Sequence, residues 1–213
     1  MELKREHFRE GLLRFALELT LIYLLPVIAL KLLFPGREFS RHFKEIMAFF
    51  VCWSAAAGYY AHRRGFSWKD MGFTAQGLPR SLLYNLLLMA IAAGVIVLIA
   101  GPRLFDAPRM PRATHWFPLF YIFLSCPAQE FLYRGLLFGL MERAGLRHPA
   151  LLILLTAATY ASMHILFHKP LIVPLTFAIG LVWGALYWRV RNLWGLIAAH
   201  IALGFLSMAA GLA

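Results

Sequence analysis

Long apolar segments, separated by short gaps rich in arginine and lysine, divide this 213-residue chain. Each runs for roughly 15–23 residues, close to the ~20 that cross a bilayer as a helix. Lipid offers backbone groups no partners, so such segments fold as helices, and the every-second-residue alternation of a membrane β-strand is absent from Leu151–Leu155. We therefore predict an all-α, polytopic transmembrane helical bundle of about seven spans (six to eight). The predicted spans are Leu12–Phe34, Ile46–Ala61, Ser81–Ala100, Trp116–Met141, Pro149–Phe167, Leu171–Trp188 and Leu193–Leu212.

The composition agrees with a membrane protein and argues against nucleic acid as a partner. Hydrophobic residues make up 61% of the chain, whereas a soluble domain has about 45–50%. The net charge of +11 comes from basic residues in the gaps, where anionic lipid headgroups would bind them. Their distribution favours a cytoplasmic N-terminus. We expect a multi-pass protein of a prokaryotic plasma (inner) membrane.

The chain reads as a single membrane domain, residues 1–213, without internal repeats or an appended soluble domain. Cys52 and Cys126 have no metal-binding spacing and are interpreted as helix-packing residues. No cofactor and no metal are expected. Pro127 removes one helical hydrogen bond, so we predict that the fourth span kinks or breaks there.

Charged residues inside a span are the strongest functional signal. Glu130 and Arg134 are four residues apart and share one face of the fourth span. Two central charges cost about 5–7 kcal/mol on insertion scales, so the pair should face a polar interior. It either locks helix packing or serves chemistry. Glu18 and Lys31, which are closer to the ends of the first span, should reach the interface. Asn85 should form a hydrogen bond between helices.

Two histidines, His164 and His200, also lie inside spans. A single buried histidine is usually a satisfied core residue. Two of them, with an acid–base pair on a third helix, favour proton transfer or polarisation of a carbonyl group. Axial ligation of a haem, or membership of a proton path, remains an alternative.

Three short patterns follow one another in the C-terminal half. Each contains two positions that are four residues apart and so share a helix face. Because they occur in this order and lie inside predicted spans, they resemble the CAAX-protease and bacteriocin-processing (Abi, CPBP) family of intramembrane glutamic proteases. The part of this chain that would form the family's catalytic core is at about residues 116–208. Stretch 66–73 looks like the family's segment before its core, and stretches 176–180 and 192–194 look like the segments that lead to the third pattern. The three patterns are Gln129-Glu130-x-x-x-Arg134, Tyr160-x-x-x-His164 and His200-x-x-x-Gly204.

The resemblance implies an intramembrane endopeptidase, similar to CAAX prenyl protease 2, that cuts near the C-terminus or within the membrane-embedded part of a peptide or protein. Glu130 and His164 would activate water, and His200 would stabilise the oxyanion. Gln129 would orient the substrate, with Arg134, Tyr160 and Gly204 in support. The family pattern has Glu where this chain has Gln129, and Asn or Asp where it has Gly204. A catalytically silent relative, acting in bacteriocin self-immunity or membrane-protein regulation, is the alternative.

Overall fold

The protein is all-helical in the parts that the computed structural model describes, residues 2–34, 42–101, 116–167 and 171–210. Seven helices occupy these ranges, one for each predicted span, and the predicted helical bundle is confirmed. Helix α1 (2–33) joins Glu2–Leu19, a π-helical turn Thr20–Leu24 and Leu25–Leu33, and it is followed by α2 (Phe43–Arg63) and α3 (Leu78–Ala100). Helix α4 (117–143) consists of five consecutive segments: Phe117–Phe120, Tyr121–Ser125, Cys126–Glu130, Phe131–Leu136 and Leu137–Arg143. The last three helices are α5 (Pro149–Met163), which continues into the 3-10 turn His164–Phe167, α6 (Ile172–Val190) and α7 (Trp194–Ala209).

The interruption predicted at Pro127 takes the form of a wider helical turn. Regular α-helix resumes at Cys126, after the π-helical turn Tyr121–Ser125, and a second such turn, Phe131–Leu136, follows. The Cys126 N–H bonds to the Tyr121 carbonyl, five residues back. A proline has no N–H and crowds the carbonyl one turn earlier, so the wider turn accommodates it without ending the helix.

Four stretches are long and apolar enough to cross a membrane, judged by length and composition: Glu6–Leu33, Leu78–Ile99, Pro149–Leu166 and Ile172–Val190. Helix α3 has the highest mean hydropathy, 2.6, yet only 6% of that window is buried inside the protein. It exposes large apolar side chains such as Leu86, Ile91 and Leu98. A surface of this kind is stable against lipid and not against water.

Small residues let the helices that carry the histidines approach their neighbours closely. Gly180 and Gly184, four residues apart on α6, face α5, where a Cβ added at Gly180 would lie 3.1 Å from the Ala157 Cα atom. This arrangement is the small-xxx-small packing of membrane helices. On α7, a Cβ added at Gly195 would lie 2.7 Å from the Ser81 carbonyl carbon of α3.

The segment between α2 and α3 is tied to the α6–α7 turn by Asn192, which is fully buried. The Asn192 amide donates to the carbonyls of Thr74 (2.6 Å) and Gln76 (3.1 Å). The Leu193 N–H donates to the Gly72 carbonyl at 2.9 Å. These bonds satisfy irregular backbone at the edge of the bundle and fix the start of α7, the helix that carries His200.

Two polar residues differ from the sequence-based expectations. Glu18 does not reach solvent: its carboxylate accepts a 2.5 Å hydrogen bond from the Tyr60 hydroxyl and lies 3.3 Å from the Arg64 guanidinium. A buried carboxylate costs free energy unless it is paired and hydrogen-bonded, and these two partners meet that requirement. The Asn85 side-chain amide donates to the Ser81 carbonyl of its own helix at 2.8 Å, and among the described residues no other helix supplies it with a hydrogen bond.

Replacing Gly195 with alanine should weaken the bundle. The new methyl group would overlap the backbone of Ser81, so α3 and α7 would have to separate, at a cost of about 1–3 kcal/mol. Gly94→Ala on α3 is the matched control, because no atom lies within 4 Å of its added Cβ. Unfolding in detergent should show a lower midpoint for Gly195→Ala alone; equal midpoints would contradict this packing.

Candidate functional site

The Glu130 carboxylate forms the centre of the predicted site and has no exposed surface. Its Oε1 atom accepts a hydrogen bond from His200 Nδ1 at 2.7 Å and another from Arg134 Nη1 at 3.2 Å. An ionised carboxylate only accepts hydrogen bonds, so the hydrogen in the first contact belongs to Nδ1. The structure therefore joins the acid–base pair of α4 to the histidine of α7.

Arg134 is held by aromatic faces on its other side. Its guanidinium carbon lies 4.4 Å from the centre of the Tyr160 ring and 5.4 Å from that of the Trp183 ring. The two rings come from α5 and α6, and a cation over a ring face is attracted by the ring's electron density. Arg134 thus connects the Glu130 carboxylate to both helices of the glycine-packed pair.

Tyr160 links the two histidines. Its hydroxyl lies 3.4 Å from His200 Nε2, and its backbone carbonyl is 3.1 Å from His164 Nδ1. Its ring centre is 4.8 Å from that of the His164 imidazole and 5.9 Å from that of His200. His164 begins the 3-10 turn at the end of α5, so this change of helix type sets the position of its imidazole.

Gln129 points into the protein interior and is 6% exposed. Its side-chain nitrogen donates to the Ser125 hydroxyl at 2.9 Å. Its carbonyl oxygen, Oε1, is buried, and no described group donates to it. Gln129 therefore leaves one acceptor available inside the bundle.

Unpaired polar atoms are concentrated around this point. Within the described part of the chain, no group hydrogen-bonds to the atoms Gln129 Oε1, Glu130 Oε2, Arg134 Nε and Nη2, or Trp183 Nε1, all of which are buried. A buried polar atom without a partner costs about 1–3 kcal/mol. These two acceptors and three donors are suited to binding water together with a peptide group. A peptide group offers both a hydrogen-bond donor and an acceptor.

Gly204 is the predicted site residue without a side chain, and another residue takes up that space. A Cβ atom built on Gly204 would lie 1.8 Å from the Tyr121 hydroxyl oxygen. Tyr121 and Trp183 were not singled out from the sequence, because neither belongs to the three patterns. Trp183 lies between Gly180 and Gly184, and that spacing on an apolar helix is the signal that would have drawn attention to it.

Across the described ranges, no three histidine, cysteine, aspartate or glutamate side chains are grouped so that they could hold a metal ion. The site's carboxylate and imidazole groups are engaged with one another and with Arg134 and Tyr160.

The C-terminal part of the chain is similar to a known protein family. Residues 111–206 match the family described as "Type II CAAX prenyl endopeptidase Rce1-like". The match contains all of the residues that form the site. No curated protein and no solved structure matches the chain.

Removing Arg134 should destabilise the protein strongly, because Glu130 would lose one of its two partners in a fully buried site. Breaking a buried ion pair from one side costs about 3–5 kcal/mol. Glu142→Gln is the comparison: its pair with Arg191 is more than one third exposed, and such pairs contribute less than about 1 kcal/mol. Unfolding in detergent should therefore separate Arg134→Ala widely from Glu142→Gln; similar small losses would show that Arg134 does not anchor the site.

Proposed function

We propose that the protein is an intramembrane endopeptidase, because residues 111–206 match the Rce1-like family of type II CAAX prenyl endopeptidases. The proposed reaction is hydrolysis of a peptide bond near the C-terminus, or in the membrane-embedded part, of a peptide or protein. The observation that carries the proposal is the buried Glu130–His200 contact, in which Oε1 is held by two donors while Oε2 remains an open acceptor.

In the proposed mechanism, the carboxylate accepts a proton from water. Glu130 Oε2 takes this proton as the water oxygen attacks the carbonyl carbon, and His164 helps to orient the water. Breakdown of the tetrahedral intermediate breaks the carbon–nitrogen bond, and Glu130 returns the proton to the leaving nitrogen. Because His200 and Arg134 hold Oε1 before the substrate binds, Oε2 already points in a fixed direction. This orientation of the base raises the rate of proton transfer from water.

The remaining groups would bind the substrate. Protonated His200 donates through Nδ1 to Glu130 and, through Nε2, to the carbonyl oxygen that becomes negative. Its contact with Tyr160 is long at 3.4 Å, so Nε2 can exchange that partner for the substrate. Gln129 Oε1 would accept a backbone N–H of the substrate, a role that an amide performs as well as a carboxylate.

An apolar groove of about 390 Å³ adjoins the same part of α4 and suits the apolar portion of a substrate. Pro127, Ala128 and Phe131 line one side of it, next to Gln129 and Glu130 in the sequence. Aromatic side chains from the α2–α3 segment, Trp68 and Phe73, line another side. We propose that an isoprenoid group or apolar side chains of the substrate occupy this groove.

We also propose that the protein resides in the cell membrane with its N-terminus in the cytoplasm. Anionic lipid headgroups would bind the basic residues in the gaps between the apolar segments.

One observation favours a second candidate, a catalytically silent relative. Gln129 is an amide where the family pattern has a carboxylate, and an amide cannot take the proton of water at neutral pH. The protein would then bind peptides, in bacteriocin self-immunity or membrane-protein regulation, without cutting them.

Glu130→Gln and His164→Ala should each lower peptide cleavage by about 10²–10⁴-fold, the usual contribution of a proton-transfer group. The measurement is hydrolysis of a quenched fluorescent peptide with a farnesylated C-terminal Cys-aliphatic-aliphatic-X sequence by protein in lipid nanodiscs. Glu142→Gln is the matched control, since it removes a carboxylate from the same helix outside the site and should leave the rate unchanged.

Each possible result separates the candidates. Cleavage that survives both substitutions would end the proposed mechanism. A cellular phenotype that persists when Glu130, His164 and His200 are all replaced would favour the silent relative.

A further inference from the structure

The space beside Gly204 is filled by a phenol group that comes from a different helix. A Cβ atom on Gly204 would lie 1.8 Å from the Tyr121 hydroxyl oxygen, 2.7 Å from Cζ and 3.0 Å from Cε1. No side chain fits at position 204 while Tyr121 keeps this place. The Tyr121 hydroxyl of α4 therefore occupies the space that a side chain at position 204 of α7 would take.

This position lies next to His200. Residues 200 and 204 are four apart on α7 and face the same way. The Tyr121 ring meets the His200 imidazole edge-on, with ring centres 6.1 Å apart. Phe117 stacks on the Tyr121 ring at 5.4 Å, and Phe205 meets it edge-on at 5.3 Å, so the phenol is held by contacts from both α4 and α7.

The hydroxyl has a weak partner where it stands. It interacts with the Cys126 thiol, five residues further along the π-helical turn. Sulfur is a poor hydrogen-bond acceptor. A tyrosine O–H with such a partner can turn towards a stronger acceptor nearby without a large loss.

We propose that Tyr121 is a further catalytic residue, whose hydroxyl donates a hydrogen bond to the substrate carbonyl oxygen as that oxygen becomes negative. It acts beside His200 Nε2, so that two donors stabilise the oxyanion. Tyr121 transfers no proton, and its hydrogen bond to the substrate oxygen lengthens or breaks when the carbonyl group re-forms. This role rests on the proposed endopeptidase function and supplies the donor that Gly204 cannot.

The test first removes the Tyr121 hydroxyl and then introduces a different hydrogen-bond donor at position 204 of α7. Tyr121→Phe should lower kcat for the farnesylated peptide by about 10²–10³-fold with little change in KM, as loss of one oxyanion donor does. Tyr121→Ala should be equally impaired. The double variant Tyr121→Ala/Gly204→Asn, in which the small residue makes room for an amide next to His200, should recover at least about tenfold over Tyr121→Ala, since a regained donor is worth about 10²–10³-fold when its geometry is ideal.

Tyr133→Phe is the matched control, because it removes a buried hydroxyl of the same helix that also bonds to sulfur, at 3.4 Å from Met163 Sδ. Its kcat should stay within about threefold of the unsubstituted protein, less than the effect of one donor. Unfolding in detergent checks that each variant is folded.

The outcomes distinguish this proposal from the one on which it rests. If Glu130→Gln is inactive but Tyr121→Phe cleaves as well as the unsubstituted protein, Tyr121 has no catalytic role and the endopeptidase function stands. If Tyr121→Phe and Tyr133→Phe are impaired alike, or the double variant regains nothing over Tyr121→Ala, the proposed donor role is wrong. If the unsubstituted protein cleaves no faster than Glu130→Gln, both proposals fail.

Discussion

Glu130 places a carboxylate in a fully buried position, where it is stable only if protein groups pair with it, and the surrounding helices supply those groups. Arg134 supplies the compensating charge from one turn along α4, and His200 supplies a donor from α7. Arg134 in turn lies over rings from α5 and α6. A single carboxylate thereby fixes the mutual positions of four helices, and close glycine packing between α5 and α6 allows the rings to reach it.

The helices and the pair Glu130–Arg134 could be predicted because both depend on short-range order in the sequence. The length of an apolar run sets the length of a helix, and a spacing of four sets a shared face. The contact of Glu130 with His200 joins residues seventy positions apart, and no spacing rule predicts it. It was suggested only by the order of motifs in a similar family.

Contacts between helices account for what the sequence did not reveal. Tyr121 and Trp183 look like ordinary apolar-helix residues, and their importance depends on which helix faces which. The same holds for Glu18, which was expected near the end of a span but contacts Tyr60 of α2 and Arg64 just after that helix. The wider turns around Pro127 also have no local signature beyond the proline, although they set the directions of Tyr121, Gln129 and Glu130.

The central claim is that Glu130 Oε2 is an open acceptor for the attacking water. An experimental structure in lipid nanodiscs, at a resolution that shows ordered water, tests this directly. We expect a water oxygen at hydrogen-bond distance from Oε2, about 2.5–3.0 Å, while Oε1 keeps its bonds to His200 and Arg134. A direct bond from Oε2 to a protein donor such as Arg134 Nη2, with no water beside it, would contradict the account.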